Sequence, residues 1–189
     1  MVLTPSTMIA LGTPASDFSL PDVVSKDTIT LNTFADMKAF LLMFICSHCP
    51  FVKHIQKELS RIGRDYQKKN VGILAISSND ADAYPEDSSS GLKVMAQELG
   101  FTFSYCYDET QEVARAYQAT CTPDFFLFDQ HRTLVYRGQL DESRPGNDKP
   151  ITGKDLRQAL DSVLSGLPIL AEQIASVGCN IKWKSSRER

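Results

Sequence analysis

The chain has 189 residues, 42% of them apolar, which suits one well-filled core and is short for two domains of ordinary size. Its 20 basic and 23 acidic residues leave a formal charge of -3 without long blocks of one sign, so neither nucleic acid nor a membrane surface is indicated as a partner. The N-terminus lacks the features of a secretory signal, and the longest apolar run, AFLLMFIC, is far shorter than a membrane span. We therefore expect a soluble cytoplasmic protein, with a single domain over residues 1–168 and a C-terminal tail over residues 169–189.

The first predicted elements form a crossover unit. Short apolar stretches between turn residues over 15–37 predict an N-terminal hairpin. The unbroken apolar run over 39–45 predicts a buried strand, and apolar residues at helical spacing over 50–69 predict an amphipathic helix. A second apolar run over 71–78 predicts a buried parallel strand. Strand, helix and strand make a right-handed crossover that carries a CSHC sequence at its first turn.

The remaining elements continue the alternation of strands and helices. Residues 79–91, rich in Pro, Ser and Asp, predict a surface loop. The predicted elements after it are a helix, a strand, a helix, two strands joined by a turn and a closing helix, at 91–100, 103–108, 109–118, 124–129, 133–140 and 154–166. This order predicts a three-layer α/β domain with a mixed sheet.

The close pair Cys46 and Cys49 is the main chemical signal. The five cysteines are an odd number in a mid-sized chain, unlike the dense, even framework of a small secreted scaffold. Placed at a strand end and a helix start, the pair lies one turn apart on one face, so the thiols can reach each other. Helical neighbours have Cβ atoms about 5–6 Å apart, whereas an unstrained disulfide needs roughly 3.8 Å. Bridging them therefore distorts the turn and favours an easily reduced bond.

His48 lies between the two cysteines and is the expected source of positive charge. A nucleophilic cysteine must be a thiolate, and both a helix N-terminus and a protonated His48 would lower the pKa of Cys46. A charge about 5 Å away contributes up to ~3 kcal/mol at an effective dielectric near 20, more than the ~0.3–1 kcal/mol of the helix, so the histidine is the larger effect. Cys49 is the expected resolving thiol, and Pro50 fits the first helical turn. A surface histidine without a role is the alternative.

Other readings of the pair are open or excluded by its surroundings. Zinc usually needs a second close ligand pair, and the other cysteines are isolated, with no HxxxH, so a resident metal is not expected. Haem attachment needs His after the second cysteine, where Pro50 stands. Two inert core cysteines remain an alternative.

The motifs together resemble those of the thioredoxin superfamily, in the order strand, CSHC, helix and then TCTPDFFLFD before the final hairpin. With YRGQLDESRPGN and GCNIKWK, the chain is similar over nearly its whole length to the bacterial peroxiredoxin-like group among AhpC/TSA-type proteins. The resemblance implies a thioredoxin-like three-layer α/β/α sandwich with a mixed central sheet, an N-terminal β-hairpin extension and a C-terminal tail. It also implies that Thr122 and Pro123 match the superfamily's cis-proline site, which faces the CxxC turn and, with Pro50, shapes a docking surface.

The chain departs from both branches of the superfamily at positions that assist the chemistry. If Cys49 matches the peroxide-reactive cysteine of PxxxTxxC, then Leu42 and Cys46 replace its proline and threonine. The peroxiredoxin arginine falls at Pro123. Phe40 replaces the acid that thioredoxins bury six residues before the first cysteine, so proton transfer from the inner thiol must use another group or water.

Several further residues are weaker candidates. The implied fold brings Cys121 near the CxxC, either as a third redox thiol or as a small buried residue. Cys106 is expected in the core. Cys179, in the tail, could resolve a mixed disulfide, but we expect a spectator role. Arg137 and Arg144 could assist an anionic substrate or form surface ion pairs.

The first functional hypothesis is a thiol-disulfide oxidoreductase in which Cys46 attacks, Cys49 resolves and His48 tunes the thiolate. Its partners would be a disulfide-containing protein or small thiol and a thioredoxin- or glutathione-type reductant, without a cofactor. A thiol peroxidase using the same pair is the close alternative. From another class, the alternative is a metal-handling protein that binds Cu(I) or Zn(II) through both thiolates with His48 or Cys121.

Overall fold

The computed structural model describes residues 3–185. The strands are β1 (Leu3–Pro5), β2 (Ser19–Pro21), β3 (Thr28–Thr30), β4 (Ala39–Phe44), β5 (Val71–Ser77), β6 (Ser104–Tyr107), β7 (Cys121–Thr122), β8 (Asp124–Asp129), β9 (Leu134–Tyr136) and β10 (Val177–Asn180). The helices are α1 (Pro50–Gln67), α2 (Ser89–Glu98), α3 (Glu112–Ala116) and α4 (Lys154–Leu164). Within residues 3–185, no helix has the length and apolar character needed to cross a membrane.

The central sheet is mixed, as predicted. Its strand order is β6-β5-β4-β8-β9. Strand β4 pairs in parallel with β5 and antiparallel with β8, while β5 continues in parallel to β6 and β8 continues antiparallel to β9. The strands β4 and β5 are buried at every residue because both faces of the sheet are covered, which explains their continuous apolar runs.

Alternation along β4 divides the core into two clusters. Leu41 and Met43 point to the face covered by α1, α2 and α4. Phe40 and Phe44 point to the other face, covered by α3, the β2–β3 hairpin and Phe34. The result is the predicted three-layer arrangement with its N-terminal hairpin.

The C-terminal segment is a correction to the predicted tail. Strand β10 lies between β1 and β7 in a second, three-stranded sheet. Cys179 and Ile181 are buried there, and the backbone N–H of Lys182 donates to Asn79 Oδ1 at 2.8 Å. The strand has only four residues, VGCN, which is too short for a periodic pattern to predict it. The last residues of the predicted tail, 186–189, lie outside the described range.

Two other predictions need adjustment. Helix α3 and strand β9 are shorter than their patterns indicated. The predicted surface loop over 79–91 contains a 3-10 turn, Pro85–Asp87, whose Asp87 is fully buried. Burial of one acidic side chain in a polar loop leaves no periodic signal, so loop composition could not reveal it.

Candidate active site

The two cysteines lie where β4 passes into α1. Cys46 follows the last residue of β4 by two positions, and Cys49 is the N-cap of α1. Pro50 begins the helix, where the missing N–H costs no intrahelical hydrogen bond. Cys46 and Cys49 are 1% and 0% exposed, so a substrate reaches the sulfur atoms only across the half-buried turn formed by Ser47 and His48.

Thr122 contacts both sulfur atoms. Its hydroxyl lies 3.3 Å from Cys46 Sγ, and its carbonyl oxygen accepts a hydrogen bond from the Cys49 thiol at 3.2 Å. The peptide bond between Thr122 and Pro123 is cis. The structure therefore brings together four residues that sequence motifs 73 to 76 positions apart had suggested as one site.

Asp87 anchors the turn between the cysteines and was missed from the sequence. Its Oδ1 accepts hydrogen bonds from the backbone N–H and the hydroxyl of Ser47, at 2.7 and 2.8 Å. Its Oδ2 lies 2.5 Å from His48 Nδ1 and accepts from Asn79 Nδ2 at 2.7 Å. Burial alone would raise the pKa of Asp87, but the bonds from His48 and Asn79 outweigh it and lower the pKa. A buried carboxylate thus holds the CSHC turn in place through hydrogen bonds.

His48 is held by Asp87 and Tyr84. The imidazole stacks on the Tyr84 ring, with centroids 4.7 Å apart and planes 14° apart. Its Nδ1 pairs with the Asp87 carboxylate, and the ring is partly exposed. Asp87 and Tyr84 therefore fix the ring at the edge of the site.

The thiol pair has the opposite electrostatics from those predicted. Burial, the hydrogen bond with Cys49 and the negative charge of Asp87 raise the pKa of Cys46 well above its usual value. The expectation that Cys46 is acidified is therefore wrong for this arrangement, because burial and the Asp87 carboxylate both disfavour the Cys46 thiolate.

Cys49 carries the favoured thiolate of the pair. The hydrogen bond from Cys46 lowers the pKa of Cys49 to about 5, against the opposing effect of burial. The carbonyl of Thr122 favours the Cys49 thiol, since only the thiol can donate to it. A charge-assisted hydrogen bond from the Cys46 thiol is stronger than this neutral contact. Cys49 is therefore the ionised sulfur of the pair at neutral pH. The two sulfur atoms share one proton and titrate together.

The other sequence candidates lie in different positions. The thiol of Cys121 donates to the Pro123 carbonyl at 3.6 Å, and burial raises its pKa above the usual range, which fits a small buried residue. Cys106 is buried in the opposite core cluster, as expected. Cys179 lies beside Cys49, and each thiol alters the pKa of the other.

The two arginines do not offer a free charge to a substrate. Arg137 is fully buried and pairs with Asp124 at 3.1 Å. Arg144 donates to the carbonyls of Asp141 and Ser143, at 2.6 and 2.7 Å, and to the Gln139 side chain. Both are engaged within the protein.

A metal ion would need a different ligand set from the one predicted. Within residues 3–185, Cys46, His48 and Asp87 place a ligand atom each within 4.8 Å of one another. However, the carboxylate of Asp87 already accepts from Ser47, His48 and Asn79, so its oxygens are committed to hydrogen bonds. Metal handling therefore stays a prediction, which the metal content of the purified protein would test.

Comparison with known proteins defines the family. The model of the AhpC/TSA family matches residues 11–137, which include the thiol pair and the Thr122 site. The chain belongs to the AhpC/TSA family. At this level the AhpC/TSA assignment supports an oxidoreductase-type or peroxidase-type enzyme acting through thiols.

Solved structures place this AhpC/TSA protein near two uncharacterised relatives. An uncharacterised conserved protein from Geobacillus kaustophilus is 52% identical, with 98% of each chain covered and a TM-score of 0.96. A hypothetical protein from Sinorhizobium meliloti 1021 is 46% identical, with a TM-score of 0.95 over 97% of this chain and 100% of that chain. A putative thiol:disulfide interchange protein DsbE from Chlorobium tepidum, 18% identical with a TM-score of 0.64 over 82% of this chain and 98% of that chain, shares the thioredoxin-like fold. No curated protein matched the chain.

Proposed function

We propose that this AhpC/TSA protein is a thiol-disulfide oxidoreductase that works through Cys46 and Cys49. The observation that carries the proposal is the contact of both sulfur atoms with Thr122, beside the N-terminus of α1. A pair of thiols that shares one proton can supply a thiolate at neutral pH, which is the form that attacks a disulfide.

The reaction uses the two cysteines in turn. Cys46, next to the half-exposed turn, passes its proton to the Cys49 thiolate and attacks one sulfur of the substrate disulfide. The first substrate thiolate leaves with the electron pair and takes the proton from Cys49. The Cys49 thiolate then attacks the Cys46 sulfur, so that an intramolecular disulfide forms and the second substrate sulfur leaves as a thiolate, which takes a proton from water.

This sequence of steps requires no acid at Phe40. Cys49 is both the acceptor and the donor of the proton, because the two sulfur atoms form one pair that shares it. His48 would act as a positioning residue for the turn through its bond to Asp87. In the cytoplasm that the sequence predicts, a thioredoxin- or glutathione-type reductant would restore the dithiol, with a disulfide-containing protein or small thiol as substrate.

A thiol peroxidase is the second candidate, and the ionisation of Cys49 favours it. In the family alignment implied by PxxxTxxC, Cys49 stands at the peroxide-reactive position, and its low pKa suits a peroxide-reducing thiolate. The buried Arg137 is paired with Asp124 and does not contact Cys49 through any described hydrogen bond, so the arginine that assists peroxidases has no counterpart there. We expect slow peroxide turnover.

The first prediction concerns the order of the cysteines. Cys49→Ser should trap a covalent mixed disulfide between Cys46 and a disulfide substrate such as insulin, because the resolving thiol is gone. Cys46→Ser should trap none, and both variants should lose insulin-disulfide reduction by two orders of magnitude or more, about 3 kcal/mol of transition-state stabilisation. Cys106→Ser, a buried thiol in the opposite core cluster, is the matched control and should keep full activity.

The result can contradict the proposal in two ways. Trapping by Cys46→Ser but not by Cys49→Ser would reverse the assigned roles. Wild-type turnover of hydrogen peroxide with a thioredoxin system, far faster than reduction of insulin, would replace the proposed function by the peroxidase.

A further inference from the structure

The side chain of Cys179 points to the face of its sheet that lies next to the cysteine pair. Strand β10 pairs antiparallel with β7, and Cys179 is directly opposite Thr122. Directly opposite residues of an antiparallel pair point to the same face of the sheet. The Thr122 side chain meets Cys46 Sγ at 3.3 Å, so the Cys179 side chain also points towards the cysteine pair.

The packing of Cys179 agrees with its register. It is 2% exposed and shares one buried cluster with Cys46 and Cys49. Gly178 lets the strand approach this closely, because a Cβ atom there would lie 2.0 Å from the Thr122 carbonyl oxygen. That same oxygen is 3.2 Å from Cys49 Sγ. Burial and the hydrogen bond with Cys49 raise the pKa of Cys179 to about 12, so it is a thiol at rest.

We propose that Cys179 is a third redox thiol that accepts the disulfide from the Cys46/Cys49 pair by bonding to Cys49. The proposal rests on the proposed function, because the disulfide it receives is the product of that reaction. Cys121, the neighbouring cysteine on β7, precedes the residue that lies opposite Cys179, and its thiol donates to the Pro123 carbonyl. It is therefore not the partner we assign.

The transfer is an internal disulfide exchange. The sulfur of Cys179 attacks the Cys49 sulfur of the Cys46–Cys49 bond, so that the Cys49–Cys179 bond forms as the Cys46–Cys49 bond breaks. The electron pair leaves on Cys46, which takes the proton lost by Cys179, and the oxidation state of the protein is unchanged. The oxidising equivalent is then held in a fully buried bond, while Cys46 is free as a thiol to engage a second partner.

The test removes the competing partner of Cys49. The full chain with Cys46→Ser is oxidised with diamide, its free thiols are alkylated, and its peptides are mapped by mass spectrometry. The Cys49 thiolate adds to diamide, and Cys179 displaces the reduced hydrazine, forming the disulfide. We expect the loss of two thiols per chain and a linked pair of peptides containing Cys49 and Cys179. Adding Cys179→Ser should abolish the link, whereas adding Cys106→Ser should leave it intact.

Other outcomes separate this inference from the proposed function. An unlinked Cys179, a link from Cys49 to Cys121, or links only between chains would overturn the inference, even if the wild type forms Cys46–Cys49 and reduces insulin. Conversely, the Cys49–Cys179 link in a wild type that reduces no disulfide would overturn the proposed function alone. If Cys46→Ser does not fold, Cys46→Ala and partial oxidation of the wild type give the same readout. Under the same partial oxidation, the chain with Cys179→Ser alone should form only the Cys46–Cys49 link.

Discussion

At the scale of single residues, Asp87 is the charged side chain that both holds the CSHC turn and acts on Cys46. It is fully buried, holds the turn through Ser47 and His48, and its charge raises the pKa of Cys46. A buried carboxylate beside a thiol opposes ionisation of that thiol, since like charges in a poorly hydrated site repel. The turn is therefore held rigidly and the Cys46 thiol resists ionisation. The Cys49 thiolate is the group that accepts its proton.

Replacing this charge should change the ionisation of Cys46. Asp87→Asn keeps the shape of the side chain and removes its charge, so we expect a lower pKa for Cys46 and a loss of about 1–3 kcal/mol in the free energy of unfolding from weakened hydrogen bonds. The pH dependence of alkylation and thiolate absorbance measures the first effect, and urea unfolding the second. Glu86→Gln, an exposed neighbouring acid, is the control. An unchanged or higher pKa for Cys46 would contradict the electrostatic role of Asp87.

At the scale of elements, the 3-10 turn Pro85–Asp87 is fixed by close packing against α2. A Cβ atom at Gly91 would lie 2.1 Å from the backbone oxygen of Glu86. The same oxygen accepts a hydrogen bond from the Ser47 hydroxyl at 2.6 Å. Helix α2 can therefore support the turn between the cysteines only because residue 91 has no side chain.

A methyl group at this position should displace the support of the site. We expect Gly91→Ala to lower the free energy of unfolding by about 1–3 kcal/mol, because backbone atoms must move to relieve the overlap. Insulin reduction should fall several-fold as Asp87 shifts, measured as kcat/KM. Val94→Ala, at an exposed position of the same helix, should change neither quantity by much. Equal activity of Gly91→Ala and wild type would show that the turn does not depend on α2.

At the scale of the whole molecule, Arg137 links the central sheet to the N-terminal segment. It donates to Asp124 of β8 at 3.1 Å and to Ser6 at 2.8 Å, and its guanidinium lies 4.2 Å from the centre of the Phe126 ring. Burial raises the pKa of Asp124 to about 6, although Arg137 lowers it. This buried pair belongs to the framework of the protein and not to its substrate surface.

The buried acid should make stability depend on pH. An unfolded aspartate has its usual pKa of 3.8, so between about pH 4 and pH 6 the native state holds a proton that the unfolded chain has lost. The free energy of unfolding contributed by Asp124 should therefore fall as pH rises through this window, by about 3 kcal/mol. Asp87, whose pKa is lowered, acts in the opposite sense and only as pH falls below its usual value.

Urea unfolding of the wild type and Asp124→Asn across this range isolates the effect. The wild type should lose stability relative to the variant between pH 4 and pH 6, because the asparagine of the variant does not titrate. Parallel curves, or a wild type that gains stability relative to the variant, would contradict the raised pKa.

The strongly periodic elements and the cysteine motif were predictable from the sequence. The runs that became β4 and β5 are apolar at every position, and the helical spacing of α1 follows directly after Cys49. These signals are local, since each depends on neighbours within one element. Strand β10 was missed because its four residues carry too short a pattern, and α3 begins later than predicted because its N-cap Gln111 is left-handed.

The sequence by itself determined the class of fold, the order of its main elements and the presence of two thiols at the start of a helix. Only the tertiary structure decided which charge faces those thiols, which sulfur carries the thiolate, and that Cys179 lies beside them. The reason is physical: ionisation in a buried site depends on groups brought together from distant segments, here Asp87 and Cys179. Their spacing along the chain carries no trace of that proximity.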